Sequence, residues 1–120
     1  MTLSLVYGLI VAGVIVFQVA LLLGAPWGRL TQGGQVDGAL PWTGRLAAVG
    51  SAGLLAAMAA AMRSADGGWP NWPMWTAWAT LALSAASMLM NWITPSKPER
   101  LVWGPVTTVM FLLVVAIIWS

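Results

Sequence analysis

The chain contains no cysteine and no histidine among its 120 residues. Without cysteine, it has no disulfides, no thiolate nucleophile and no cysteine-ligated metal. Without histidine, it lacks the commonest metal ligand and the commonest general base in proteins. We therefore predict that the protein has no metal site and no cofactor.

Charged side chains are also scarce. They make up 7% of the residues, whereas a soluble domain has about 25%. Hydrophobic residues make up 60%, and a chain of this length cannot bury so much apolar surface in its own core. Five basic and three acidic residues are too few for a nucleic-acid interface. The composition predicts an integral membrane protein whose partner is the lipid bilayer, with no nucleic acid.

Four apolar segments each approach the ~20 residues that a helix needs to cross a bilayer. Inside lipid such a segment must be helical, because only a helix satisfies its own backbone hydrogen bonds. We predict an all-α membrane protein, one transmembrane domain over residues 1–120, with a four-helix bundle at 3–23, 45–62, 74–93 and 104–119. Pro105 would then lie in the first turn of helix four, where its missing N–H costs nothing.

The distribution of basic residues predicts the orientation. Four of them lie in the first and third loops: Arg29, Arg45, Lys97 and Arg100. The middle loop has only Arg63. Because basic loops stay inside, we expect loops 24–44 and 94–103 to be cytoplasmic in a bacterial cytoplasmic membrane, with both termini outside.

Helix three carries a polar face. Its members are spaced by three or four residues: Thr76, Thr80, Ser84, Ser87 and Asn91. That spacing puts them on one side of a helix, and a polar side facing lipid is unfavourable. Together with polar groups at the same depth in the other helices, they predict a vestibule formed by Gln18, Ser51, Ser84, Ser87, Asn91 and Thr107. The four basic residues of the first and third loops would form its rim.

The same polar residues allow a second interpretation. They could form hydrogen bonds between helices, each contributing about 0.6 kcal/mol. In that case they would hold the bundle together and leave no cavity. The sequence alone leaves both interpretations open.

Both basic loops have features of folded segments. The first is about twenty residues long, beyond the two to eight that usually connect helices, and it contains prolines and tryptophans that can pack. We expect it to fold back onto the end of the bundle. In the third loop, Ser96 is expected to cap helix four, with Pro98 and Glu99 in its first turn.

Motifs in these loops suggest a family. The pattern GAPWG, GG and LP…R, followed by N…TPS…ER…W.PV, resembles that of small four-helix bacterial integral membrane proteins of unassigned function. The resemblance spans nearly the whole chain. It implies the membrane topology but no activity, and Arg29 departs from the acidic residue that such proteins often carry there.

Catalysis is not expected. The carboxylates of Asp37, Asp66 and Glu99 lie far apart in the sequence and have no paired partner for acid–base chemistry. We predict that the protein is not an enzyme. No Asp, Glu, Lys or Arg lies in a predicted helix body, which argues against cation-coupled exchange.

Two functional classes remain. The first is a non-catalytic component that binds a partner subunit, a lipid or a small hydrophobic ligand. The alternative is a small oligomeric channel or facilitator for a polar or anionic solute. Small residues along helix two favour close helix packing, so a homo-oligomer or a complex with another membrane protein is expected.

Overall fold

The computed structural model describes residues 2–120, and helices are the regular secondary structure in this range. The helices are α1 (Leu3–Leu22), α2 (Trp42–Ala65), α3 (Met74–Ile93) and α4 (Lys97–Ile118). The loop between α1 and α2, residues 23–41, contains two short 3-10 turns at Gly28–Leu30 and Gln32–Gly34. No strand occurs within residues 2–120. The predicted all-α class is confirmed.

Three of the helices, α1, α2 and α4, are long and apolar enough to cross a membrane. They keep large apolar side chains on their outer surfaces. Leu9 and Val16 of α1 and Leu112 of α4, for example, are each more than half exposed. Such side chains are stable when they face lipid, because lipid tails are as apolar as leucine. These three helices thus have the length and the apolar surface of transmembrane helices.

The helix ends differ from the predicted ones. Helix α2 covers 42–65 instead of 45–62, and α4 begins at Lys97 instead of residue 104. The apolar runs mark the part that fits the bilayer, whereas the helical backbone continues through the polar turns beside it. Pro105 therefore lies inside α4 and not in its first turn. The predicted cap is confirmed, since the Ser96 hydroxyl accepts the Glu99 backbone N–H at 3.4 Å.

The helices pack as two antiparallel pairs, α1 with α2 and α3 with α4. The main core lies in the half of the bundle that contains the two termini. It is formed by Tyr7, Val11, Met62, Ala77, Met110, Val114 and Ile117. A smaller core of Leu21, Leu40 and Ala48 joins the α1–α2 loop to its flanking helices. Between these two cores the helix pairs separate.

A polar contact ties α1 to α2 at the terminal end. The Ser4 hydroxyl donates to the Asp66 carboxylate at 2.6 Å and accepts from the Arg63 guanidinium at 3.4 Å. The Ser4 hydrogen bond, with a smaller effect of Arg63, lowers the pKa of Asp66. Asp66 thus stabilises the fold in its charged form.

Ser4→Ala should reduce stability at neutral pH by at most about 1 kcal/mol, because the carboxylate is open to solvent. A lowered folded-state pKa stabilises the protein above the ordinary pKa of about 4, and this stabilisation disappears as the pH falls through the folded-state value. The difference in stability between the wild type and Ser4→Ala should therefore become smaller from pH 7 to pH 3. Thermal unfolding in nonionic micelles across this range measures it, and a constant difference would contradict the assignment.

Candidate functional site

A cavity of about 900 Å³ lies between the two helix pairs, in the half of the bundle next to the α1–α2 loop. Every helix contributes to its lining. Met58 and Met110 line it where it meets the main core, and Leu30, Thr31, Gln32 and Gly33 of the α1–α2 loop line its other end. Most of the side chains between them are apolar, among them Val14, Phe17, Leu55 and Val106.

The structure brings the six predicted vestibule residues together. Gln18, Ser51, Ser84, Ser87, Asn91 and Thr107 all line this one cavity. The polar face of α3 turns inward, with Thr80 and Ser84 buried and the others partly buried. These polar groups therefore lie around an otherwise apolar space.

Apart from Ser84, which lies beside the Tyr7 hydroxyl of α1, none of the six joins two helices by a side-chain hydrogen bond within residues 2–120. The Asn91 amide donates to the Ser87 carbonyl oxygen one turn earlier, at 2.7 Å. The Thr107 hydroxyl likewise donates to the Trp103 carbonyl oxygen, at 2.6 Å. Such bonds to the same helix do not hold helices together, and they leave the oxygen lone pairs available to a ligand.

Ser84 is the most deeply buried of the six. Its side chain is 4% exposed and its hydroxyl has no hydrogen-bond partner within the described residues. It lies next to the Tyr7 hydroxyl, which is also buried and without a partner. Buried polar atoms are rarely left unpaired in native proteins. These two hydroxyls lie beside each other between α1 and α3, where the cavity wall meets the main core.

Glu99 also lines the cavity, although the sequence did not single it out as a site residue. Its side chain is 7% exposed, and its Oε2 accepts the Gly33 backbone N–H at 3.2 Å. A signal was present in the spacing: Glu99, Trp103 and Thr107 follow each other at four-residue steps on one face of α4. The cavity therefore has a carboxylate at the end covered by the loop.

The α1–α2 loop is fixed to α4 at this end. The Ser96 hydroxyl donates to the Arg29 carbonyl oxygen at 2.6 Å, and the Trp103 indole N–H donates to the Leu30 carbonyl oxygen at 2.7 Å. Aromatic contacts add to these bonds, because Phe17 packs on both Trp27 and Trp103 with ring centroids 5.7 and 4.7 Å apart. The loop thereby holds residues 30–33 against the cavity.

The four predicted rim residues do not line the cavity. Arg45 donates to the Leu40 carbonyl oxygen at 2.8 Å and lies over the Trp42 ring. Arg100 donates to the Thr94 carbonyl oxygen at 2.9 Å. The side chains of Arg29 and Lys97 are exposed. The two partnered arginines thus bind backbone carbonyls outside the cavity.

One side of the cavity is open. Four apolar side chains in its lining, from α2 and α3, are also exposed on the outer surface: Leu54, Leu83, Met90 and Ile93. These helices belong to different pairs and pack less extensively than the helices within each pair. The opening therefore lies between α2 and α3 and has apolar edges.

Comparisons with protein-family models, curated proteins and solved structures find no match to this chain. The resemblance carried by the loop motifs stays a prediction. A helix bundle does not imply an activity by its fold alone, so the cavity is the feature that bears on function.

Proposed function

We propose that this protein is a non-catalytic membrane protein that binds a small amphiphilic ligand in the cavity between its helix pairs. The observation that carries the proposal is the cavity's size and lining. Ligand sites typically enclose about 300–1,000 Å³ and combine apolar walls with a few polar groups that orient the ligand. The space of about 900 Å³ has apolar walls and ten polar side chains, namely the six predicted vestibule residues with Thr31, Gln32, Thr94 and Glu99, and it fits this description.

The opening between α2 and α3 supports binding from the bilayer. Its apolar edge residues, such as Leu54 and Met90, would face lipid in an inserted protein. A ligand dissolved in the membrane would reach the cavity without crossing the polar loops. The buried core at the other end supports a binding site over a pore, because Tyr7, Met62 and Val114 are fully buried. A channel would need a path between several copies.

The proposal includes a four-span bundle. Helix α3 has 20 residues, enough to cross a bilayer, and it packs along α4. With loops 24–44 and 94–103 on the cytoplasmic side of a bacterial inner membrane, the cavity would lie in the cytoplasmic half. The outer face of α2 would suit a second copy or another membrane protein, since Gly50 and Gly53 have no neighbouring atoms within 4 Å of an added Cβ.

Filling the cavity should abolish binding. In Ser51→Phe/Ser87→Phe, two aromatic rings enter the cavity from α2 and α3, and neither serine contributes a hydrogen bond between helices. The test uses protein in zwitterionic nanodiscs, titrated with an undecanol that carries a dansyl fluorophore. We expect saturable binding at about one probe per wild-type chain, weakened in the variant by about 100-fold or more because the volume is lost.

Val49→Phe is the matched control, since Val49 is exposed on α2 and does not line the cavity. It should bind the probe as wild type does. The absence of saturable binding to the wild type would overturn the proposed function. So would equal binding by the filled variant, which would place the probe elsewhere on the protein.

A further inference from the structure

We infer that the amphiphile carries a cationic, ammonium-type headgroup, which forms an ion pair with Glu99. The inference rests on the proposed function and specifies its ligand. Glu99 is the only acidic residue in the lining of the cavity. It lies at the end covered by the α1–α2 loop, whereas the apolar side chains extend from there toward Met58 and Met110. A charged head and an apolar tail would match this arrangement.

The Glu99 carboxylate lacks the partners that a buried charge requires. Burying a carboxylate is unfavourable unless it is paired and fully hydrogen-bonded. Within residues 2–120 it accepts one side-chain hydrogen bond, from the Gly33 N–H, and has no lysine or arginine within salt-bridge distance. The N-terminal end of α4 favours its negative charge but supplies no cation. One carboxylate oxygen is left for a ligand.

The cations nearest in sequence do not compensate for this charge. Arg100, the next residue, directs its guanidinium to the Thr94 carbonyl oxygen. Lys97, two residues earlier, has an exposed side chain, as does Arg29 of the loop. A cationic ligand would therefore compensate a charge that the protein itself leaves unpaired.

Two further features of the lining suit an ammonium group. Trp103 lies one turn after Glu99 on α4 and also lines the cavity, so its ring can contribute a cation–π contact. The unpartnered Ser84 hydroxyl lies deeper in the wall, where a polar atom of the ligand could bind it. An anionic headgroup fits poorly, because no lysine or arginine lines the cavity.

The test compares three probes with the same dansyl-labelled undecyl chain, ending in trimethylammonium, hydroxyl or carboxylate. Each is titrated into protein in zwitterionic nanodiscs, with empty nanodiscs subtracted to remove partitioning into lipid. The trimethylammonium probe should bind most tightly and the carboxylate probe most weakly. Glu99→Gln should weaken binding of the trimethylammonium probe by about 10-fold or more, since it removes a charge-assisted contact. The affinity for the hydroxyl probe should change by less than about twofold in this variant.

Glu99→Gln keeps an oxygen that can accept the Gly33 N–H. Asp37→Asn is the matched control, because it removes one exposed carboxylate from the α1–α2 loop outside the cavity. It should leave all three affinities unchanged, and an equal loss in both variants would indicate a general surface-charge effect and overturn the inference.

The outcomes separate the two proposals. Saturable binding of the hydroxyl probe, with no preference for the trimethylammonium probe and no effect of Glu99→Gln, would overturn the cationic ligand and leave the cavity function standing. Binding of none of the probes would overturn both. If Glu99→Gln does not fold, the order of the three probes on the wild type decides, and tightest binding of the carboxylate probe overturns the inference.

Discussion

Gly28→Ala should lower the free energy of unfolding by about 3 kcal/mol, since a new side-chain atom would overlap a packed backbone. A Cβ at residue 28 would collide with the Val36 carbonyl oxygen and would lie 2.6 Å from the Gly38 carbonyl oxygen. Both atoms belong to the backbone and cannot rotate away. The Gly28 N–H also donates to Gly38 at 2.8 Å, so the clash would open the loop where it closes on itself.

The effect should extend to the cavity, because the same loop holds residues 30–33 against α4. SDS titration in mixed micelles measures the free energy of unfolding, and protease cleavage within the α1–α2 loop measures its release. Gly50→Ala is the control, since a Cβ there meets nothing within 4 Å and alanine favours helix. If Gly28→Ala were as stable and as resistant to protease as the wild type, the loop would not depend on this close contact.

The polar face of α3 could be predicted from the sequence because it depends on two simple rules. Residues three or four apart share a helix face, and in a membrane a polar face turns inward. Alternating helix directions placed Gln18, Ser51 and Thr107 at the same depth in the membrane, and these three side chains also line the cavity. Periodicity and depth were sufficient for these residues, because both follow from the helix positions in the sequence and the alternating helix directions.

Glu99 was missed because a local interpretation already accounted for it. An acidic residue in the first turn of a helix is favourable by itself, and the Ser96 cap is indeed present. Its carboxylate accepts the backbone N–H of Gly33, which is 66 residues away in the chain. Periodicity carries no information about such a contact. Placing α4 at residue 104 also hid the fact that Glu99 and Thr107 share one helix face.

The positions of the basic side chains also could not be predicted from local sequence. Their number in each loop predicts orientation, but it says nothing about where each side chain points. Arg45 reaches the Leu40 carbonyl oxygen and Arg100 reaches that of Thr94, each within six residues of chain. A flexible charged side chain forms a hydrogen bond to a nearby backbone carbonyl oxygen that has no other partner. A rim of positive charge at the cavity therefore could not be inferred from loop composition.

Trp103→Ala should lower the free energy of unfolding by about 3 kcal/mol, within the range for truncating a packed aromatic side chain. The ring packs edge-on against Phe17, and the indole N–H donates to the Leu30 carbonyl oxygen. Trp103 thus joins α1, α4 and the α1–α2 loop, and its loss removes both contacts at once. SDS titration in mixed micelles again provides the measurement.

Trp103→Phe separates the two contributions. It keeps an aromatic ring beside Phe17 but removes the indole donor, so it should lower stability by only about 1 kcal/mol, the net value of one hydrogen bond. Trp75→Ala is the control for tryptophan removal, since its side chain is 68% exposed at the start of α3. A Trp103→Ala variant no less stable than Trp75→Ala would show that Trp103 does not hold the loop. The loop would then depend on its hydrogen bonds to Ser96 and Glu99, which hold Arg29 and Gly33 at that end of the cavity.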